Sequence, residues 1–333
     1  MSDDPLVPAH LPRDHPVVVK RYSLFTNAIA EMVEKLEQWI DVRCDGGTIY
    51  GPSRTGKSNA VNFWLAQLLA ERYGGHVPLV IWSHNELAST ASPASLHTAL
   101  LRAVDAVHVN RRRGAEVRLI QLVERLVELA STGWGNYLVL VIDEAQDMSQ
   151  REWLWMVQLH AILERESVQL CVVSIASFQF NDAPRHLALT GSAHAAARFM
   201  LHAAPFRGLR NLQEVRYVLA AYDKTTWPAQ DGQTFTEAVA PAAWREGSRL
   251  ADCAHHLWNA LHSTLPDGYA GPIEFPMQSI ALSARQILLR AGGSQPWDEM
   301  TGGPAWHAAV ASTGHARLMA LISANAVRRR TAS

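Results

Sequence analysis

Eight consecutive residues, Gly51, Pro52, Ser53, Arg54, Thr55, Gly56, Lys57 and Ser58, satisfy the pattern G-x-x-x-x-G-K-[ST] at every fixed position. The chemistry such a run can do is phosphate binding. Its glycines let successive backbone N–H groups curl around phosphate oxygens, and a helix that follows adds its positive end. Lys57 would reach the β- and γ-phosphates of ATP and Ser58 would offer its hydroxyl to Mg²⁺, with Asn59 beside them at the helix start. The alternative is a Gly-rich turn with no ligand. Further on, Tyr137-Leu-Val-Leu-Val-Ile-Asp143-Glu144 is an apolar run that ends in two acids. Asp143 there can hold Mg²⁺ through water, and Glu144 can orient and polarise an attacking water. Read alone, the two acids would only cap the next helix.

Three more places carry candidates. The run Leu170–Ile175 leads into Ser174, Ser177 and Gln179. A polar residue at such a strand end can contact the γ-phosphate or the lytic water, and the spacing does not choose between Ser174 and Ser177. Arg198-Phe199 closes a helical stretch. An arginine there could stabilise transition-state charge in a neighbouring subunit; Arg198 is the first choice, with Arg185, Arg207 and Arg210 behind it. Gly247-Ser248-Arg249 opens a later helix. Arg249 could reach back to the γ-phosphate and couple nucleotide state to domain angle, or simply face solvent.

These residues need a scaffold, and the apolar pattern supplies one. Thr26–Ile40 repeats at helical spacing, then Asp45-Gly46-Gly47 turns into Thr48-Ile49-Tyr50. Val77–Trp82, Tyr137–Ile142 and Leu170–Ile175 read as strands, and Phe199–Phe206 as a weaker one. Helical patterns at Asn59–Tyr73, Ser95–His108, Glu116–Ala130 and Glu152–Glu166 alternate with them, and Asn211–Asp223 follows. Continuous apolar strands separated by helices imply a parallel sheet covered on both faces. Beyond Tyr222 only helical patterns remain, at Ser248–His262, Met277–Arg290 and Pro304–Val327. The expected organisation is an extended arm over 1–20, which carries four prolines, an α/β domain over 21–224, and a helical domain over 225–333.

Composition bounds the rest. The chain has 333 residues, 48% apolar and 18% charged, with a formal net charge of −1. That is the make-up of a globular protein with two packed units, and it excludes collagen, coiled coil and disulfide scaffold. Three scattered cysteines suit a reducing cytoplasm. No apolar run approaches a membrane span, and the start Met-Ser-Asp-Asp-Pro has the wrong charge for a signal peptide, so a cytoplasmic location is expected. Arginine outnumbers lysine 26 to 4, which a GC-rich coding sequence accounts for. The eleven tryptophans are read as core. His255-His256 and the other histidines lack partners at zinc-ligand spacing.

Taken together, the phosphate loop, the Asp-Glu strand end, the polar strand end after it and an Arg-bearing helical region resemble an AAA+ ATPase. The finer resemblance is to the transposition regulators TnsC, TniB and the phage Mu B protein. It is carried by Ile142-Asp-Glu-Ala-Gln146, Arg198-Phe199, and Pro205-Phe-Arg-Gly-Leu209 followed by a helix ending Ala221-Tyr222-Asp223, over about residues 20–325. The resemblance implies a P-loop NTPase sheet sandwiched by helices plus a small C-terminal helical lid. It implies Mg²⁺-dependent hydrolysis of ATP to ADP and phosphate in a ring or helical filament, assembled on duplex DNA without sequence preference. The partners implied are a transposase and a TniQ-like target-selection protein. DNA contacts are expected between the two acidic and phosphate-binding motifs, where Arg111, Arg112, Arg113 and Arg118 form the densest basic cluster, although a solvated helix–helix loop would look the same. The third helical pattern with its Arg328-Arg329-Arg330 tail extends the lid and is expected to contact transposition partners. The rival readings are an ATP-switched signalling or assembly module without DNA, and a replication-initiator or helicase-loader type.

Overall fold

The computed structural model describes residues 6–84, 91–104, 114–133, 135–229, 232–269, 271–293 and 296–332, with side chains as far as residue 324. It divides into two compact units, residues 29–53 with 57–206 and residues 1–28 with 54–56 and 207–333.

The first unit is built on five parallel strands. They are β1 (Gly46–Gly51), β2 (Leu79–Ser83), β3 (Tyr137–Asp143), β4 (Gln169–Ser177) and β5 (His202–Pro205), in the spatial order β2-β3-β4-β1-β5. All seven residues of β3 are buried, as a strand covered on both faces requires, which is why its sequence is continuously apolar rather than alternating. The connecting helices include Pro93–Ala103, Ala115–Ser131 and Gln150–Arg165. The last begins where Ser149 and Glu152 cap each other's backbone N–H groups, and it lays Trp153, Met156, Leu159 and Leu163 into the sheet core. After the phosphate loop, helix Lys57–Asn59 passes through a π-helical stretch, Ala60–Leu65, before Ala66–Tyr73.

Register decides what shares a level. Thr48 pairs with Ser174, and Gly51 pairs with Ser177; Ile142 pairs with Ser174, and Asp143 with Ile175. The carboxyl ends of β1, β3 and β4 therefore form one edge, and the chain order reverses there, the place where open parallel sheets bind ligands.

Among the described residues the second unit is helical except for one short antiparallel pair, Thr226–Trp227 with Gln233–Thr234, where only helical patterns were expected beyond Tyr222. Helix Leu212–Tyr222 starts at Asn211, whose side chain accepts from Glu214 N–H, and buries Val215, Val218, Leu219 and Tyr222 with Leu257, Ile280, Ile287 and Trp306. Three further expectations are corrected here. The division falls at Phe206/Arg207 and not at 224/225, because the apolar face of Leu212–Tyr222 packs in the helical core. The segment over 1–20 is not a bare extended arm either. Pro16–Val19 forms a short helix, Leu11 and Val17 are buried in the helical core, and Arg285 donates to Val17 O at 2.6 Å and Val18 O at 2.9 Å. The single helix expected over Pro304–Val327 is two, Gly303–Ser312 and His315–Ala332, broken at Gly314, where φ is +74°.

Candidate functional site

The phosphate loop leaves β1 at Gly51. A Cβ there would lie 2.1 Å from the Phe206 carbonyl oxygen, so the first motif position has no room for a side chain. Gly56 holds φ +108°, a conformation that suits glycine and turns the loop into the helix. Lys57 Nζ donates to the carbonyls of Gly51 at 3.0 Å and Pro52 at 2.8 Å. Burial pushes this ammonium down to about 8, against the opposing charges of Glu144 and Asp143. Ser53, Arg54 and Asn59 are exposed, and Thr55 is buried.

The end of β3 meets this loop. The Ser58 hydroxyl donates to the Asp143 carboxylate, which burial raises above its ordinary range against the Ser58 and Glu144 N–H bonds. Two hard oxygen donors side by side fit Mg²⁺ with its remaining positions filled by water and phosphate. Glu144 N–H donates to Asp143 Oδ1 at 3.0 Å, and Glu144 takes the left-handed conformation at φ +57°. Its carboxylate is exposed. One of its oxygens, Oε2, accepts from Gln146 Nε2 at 2.5 Å, and Gln146 Oε1 accepts from Ser177 N–H at 2.9 Å.

Register places Ser174 and Ser177 at different levels of the sheet. Ser174 is wholly buried mid-strand, level with Thr48 and Ile142, and the fold does not bring it to the phosphate loop. Ser177, level with Gly51, stands at the strand end. Arg198 is kept away from its own phosphate loop. It donates to His160 Nδ1 at 3.3 Å, and His160 Nε2 lies 3.4 Å from Asp45 Oδ1. Asp45 precedes β1 while the phosphate loop follows it, a separation of roughly 17–20 Å at about 3.3 Å per residue. Arg207 is buried in a two-bond pairing with Glu214, at 2.8 Å each, and Arg210 pairs with Glu274 at 2.7 Å; both are engaged by carboxylates. Arg185 is exposed. In the helical unit Arg249 stacks 3.5 Å over the Trp244 ring and donates to Ser248 O at 2.8 Å.

Of the basic cluster, Arg111, Arg112 and Arg113 lie outside the described residues. Arg118 is a strut and not a presented cation: it is half-buried and donates to Ala94 O at 3.1 Å and Thr98 Oγ1 at 3.0 Å, tying helix Ala115–Ser131 to Pro93–Ala103. The side chains of Arg328, Arg329 and Arg330 are likewise outside the description.

Two buried histidines, one beside the site and one at the opposite edge of the sheet, carry no sequence signal. His84, whose N–H donates to Asp143 O at 2.9 Å, pairs with Glu152 at 3.0 Å inside the protein. Burial alone would raise the Glu152 carboxyl, but bonds from His84 and Ser149 bring it below its ordinary range. Buried His160 is pushed down by burial, with Asp45 opposing and Arg198 adding. Neither histidine stands at a motif position, so no local signal could mark it. Among the described residues no group of three His, Cys, Asp or Glu could hold a metal ion by itself, and no helix is long and apolar enough to cross a membrane.

Residues 41–180 match the family model of an AAA domain. No curated protein matches the chain. Among solved structures the chain is similar to the Aeropyrum pernix ORC2 protein, described as ADPNP-ADP complexes, at 13% identity and a TM-score of 0.54, with 90% of this chain and 72% of that chain covered. It is also similar to the Aeropyrum pernix ORC1 protein in complex with DNA, at 15% identity and TM-score 0.42 over 79% of this chain and 74% of that one. Cdc6p from Pyrobaculum aerophilum stands at 14% and 0.42 over 79% and 65%. At these identities the likeness is one of fold: a P-loop NTPase sheet of the AAA type with a helical C-terminal part.

Proposed function

We propose that the protein is an AAA+ ATPase whose nucleotide state governs its action on duplex DNA. One observation carries the ATPase half. At a single edge of the sheet, a full phosphate loop meets an acid bonded to the loop's own serine, with a second acid next to it. In this reading the loop N–H groups and Lys57 hold the β- and γ-phosphates, and Ser58 and Asp143 hold Mg²⁺. The ion when bound neutralises charge on the phosphate oxygens. Glu144 orients the attacking water and draws off its proton. The separation of Arg198 from its own phosphate loop suits an arginine that completes a neighbour's site, and so an oligomer.

For the DNA half, the fold likeness to the Aeropyrum pernix ORC2 protein spans most of this chain and supports an initiator-type role. The second reading, a transposition regulator that links a TniQ-like protein to a transposase, rests on the Ile142–Gln146, Arg198-Phe199 and Pro205–Leu209 runs. Two measurements test the proposal. Glu144→Gln should keep nucleotide binding while turnover falls on the order of 10²–10³-fold; normal turnover would remove Glu144 as the base. ATP-dependent binding to duplex should be indifferent to sequence and weaken with salt by about −0.9 in log–log slope per phosphate neutralised. Replacing Arg111, Arg112 and Arg113 by Ala should flatten that slope. Absence of duplex binding by the unaltered protein with any nucleotide would leave a switch that acts on proteins alone.

A further inference from the structure

Gln146 has an amide with only one possible orientation. Its Oε1 faces the Ser177 N–H, which can only donate, so Nε2 must be the end that turns to Glu144. The two bonds, 2.9 Å and 2.5 Å, make a bridge from the backbone at the end of β4 to the carboxylate after β3. Gln146 itself is half-buried on the one-turn helix Ala145–Asp147, so the bridge is anchored in the core on one side and opens to the exposed Glu144 on the other. Glu144 needs such an anchor. Its backbone is in the left-handed region, unfavourable for a residue with a Cβ, and an exposed carboxylate on three rotatable bonds would otherwise sample several positions.

We propose that Gln146 is the positioning residue of the hydrolytic centre: it holds the Glu144 carboxylate in register with the carboxyl end of β4. In this arrangement Gln146 acts through Glu144. The strand end that stands level with Gly51 and the base that activates water are thereby one mechanical unit. A displacement of Ser177 by bound nucleotide is transmitted to Glu144 through a single side chain. The inference rests on the reading of Glu144 as the base.

The test uses the full-length protein with duplex DNA present, measuring ATP turnover and the affinity for a fluorescent ATP analogue. Gln146→Glu keeps the acceptor for Ser177 N–H and nearly the same volume but has no donor for Glu144. Gln146→Met loses both bonds. Misplacement of a reacting group by about 1 Å costs on the order of 10²-fold, so both variants should lose that much in kcat while KM and analogue affinity stay unchanged. Because Gln146 acts only through Glu144, adding Gln146→Met to Glu144→Gln should cause no further loss. Wild-type kcat in Gln146→Glu, or losses that multiply in the double variant, would overturn the proposal. Normal turnover by Glu144→Gln alone would instead locate the failure in the assignment of the base, and the proposal would fall with it.

Discussion

Lys57 shows how far a single residue's setting departs from its type. An ordinary lysine stays charged throughout the physiological range, but burial brings this one down to about 8. The charged form is the one that binds phosphate, and bound phosphate raises the ammonium further, so affinity must depend on pH in a set direction. Below about pH 8 the ammonium is already protonated and affinity for an ATP analogue should be flat. Above it, each pH unit should weaken binding by up to about tenfold, since a proton must be taken up first. Titration calorimetry from pH 7 to 9.5 checks this. An affinity constant to pH 9.5 would mean that the buried ammonium keeps its ordinary basicity. Lys57→Ala should abolish binding across the whole range.

At the scale of elements, the helical unit is held by apolar helix faces with a few polar groups sealed among them. His315 is wholly buried at the start of the last helix, with Nδ1 3.0 Å from Ser279 Oγ. Burial pushes its imidazole down to about 4, against a bond with Leu261. A histidine depressed in the folded state binds its proton first in the unfolded state. Its contribution is therefore present above about pH 6.5 and lost as pH falls from there towards 4, amounting to roughly 3 kcal/mol over that span. His15, buried in the same unit and also depressed by burial, adds with the same sign. Melting temperature should fall steeply between pH 6.5 and 4, and His315→Leu should make that fall shallower. An unchanged acid limb in His315→Leu would show that other groups control it. The Arg207–Glu214 pairing binds the unit differently: it joins the segment after β5 to helix Leu212–Tyr222, and removal of one partner leaves a buried charge unmatched.

At the scale of the whole molecule, Arg198 decides between a self-contained site and a shared one. Its guanidinium sits with His160 and Asp45 at the amino edge of the sheet, the wrong end for its own nucleotide. Arg198→Ala should leave nucleotide binding intact while hydrolysis by the assembled protein drops sharply. Mixed with Lys57→Ala subunits, it should recover part of the activity, because each protein supplies the half-site that the other lacks. Co-assembly with no recovery at any ratio would assign Arg198 a structural role around His160. The same mixture separates a trans arginine from a loss of folding, since an unfolded variant would not co-assemble.

Sequence by itself displayed the features that depend on contiguous residues. The phosphate loop, the Asp143-Glu144 strand end and the four apolar strands at β1 to β4 are local patterns, and local patterns are what a chain displays directly. The fold class followed, because buried parallel strands and their helices impose their periods on the sequence. Tertiary structure alone decided whatever depends on pairing across the sheet. Ser174 and Ser177 are equally plausible along the chain; only the register of β4 against β1 puts Ser177 level with Gly51. Gln146 stood inside a recognised run with no role until β4 brought the Ser177 N–H to its amide. Arg118 belonged to a basic cluster by composition, yet its guanidinium is used between two helices. The unit boundary moved for the same reason: the pattern in Leu212–Tyr222 announces an amphipathic helix but not which core receives its apolar face. Hydrogen bonds and packing between distant segments leave no period in either segment, so they become visible only once the chain is folded.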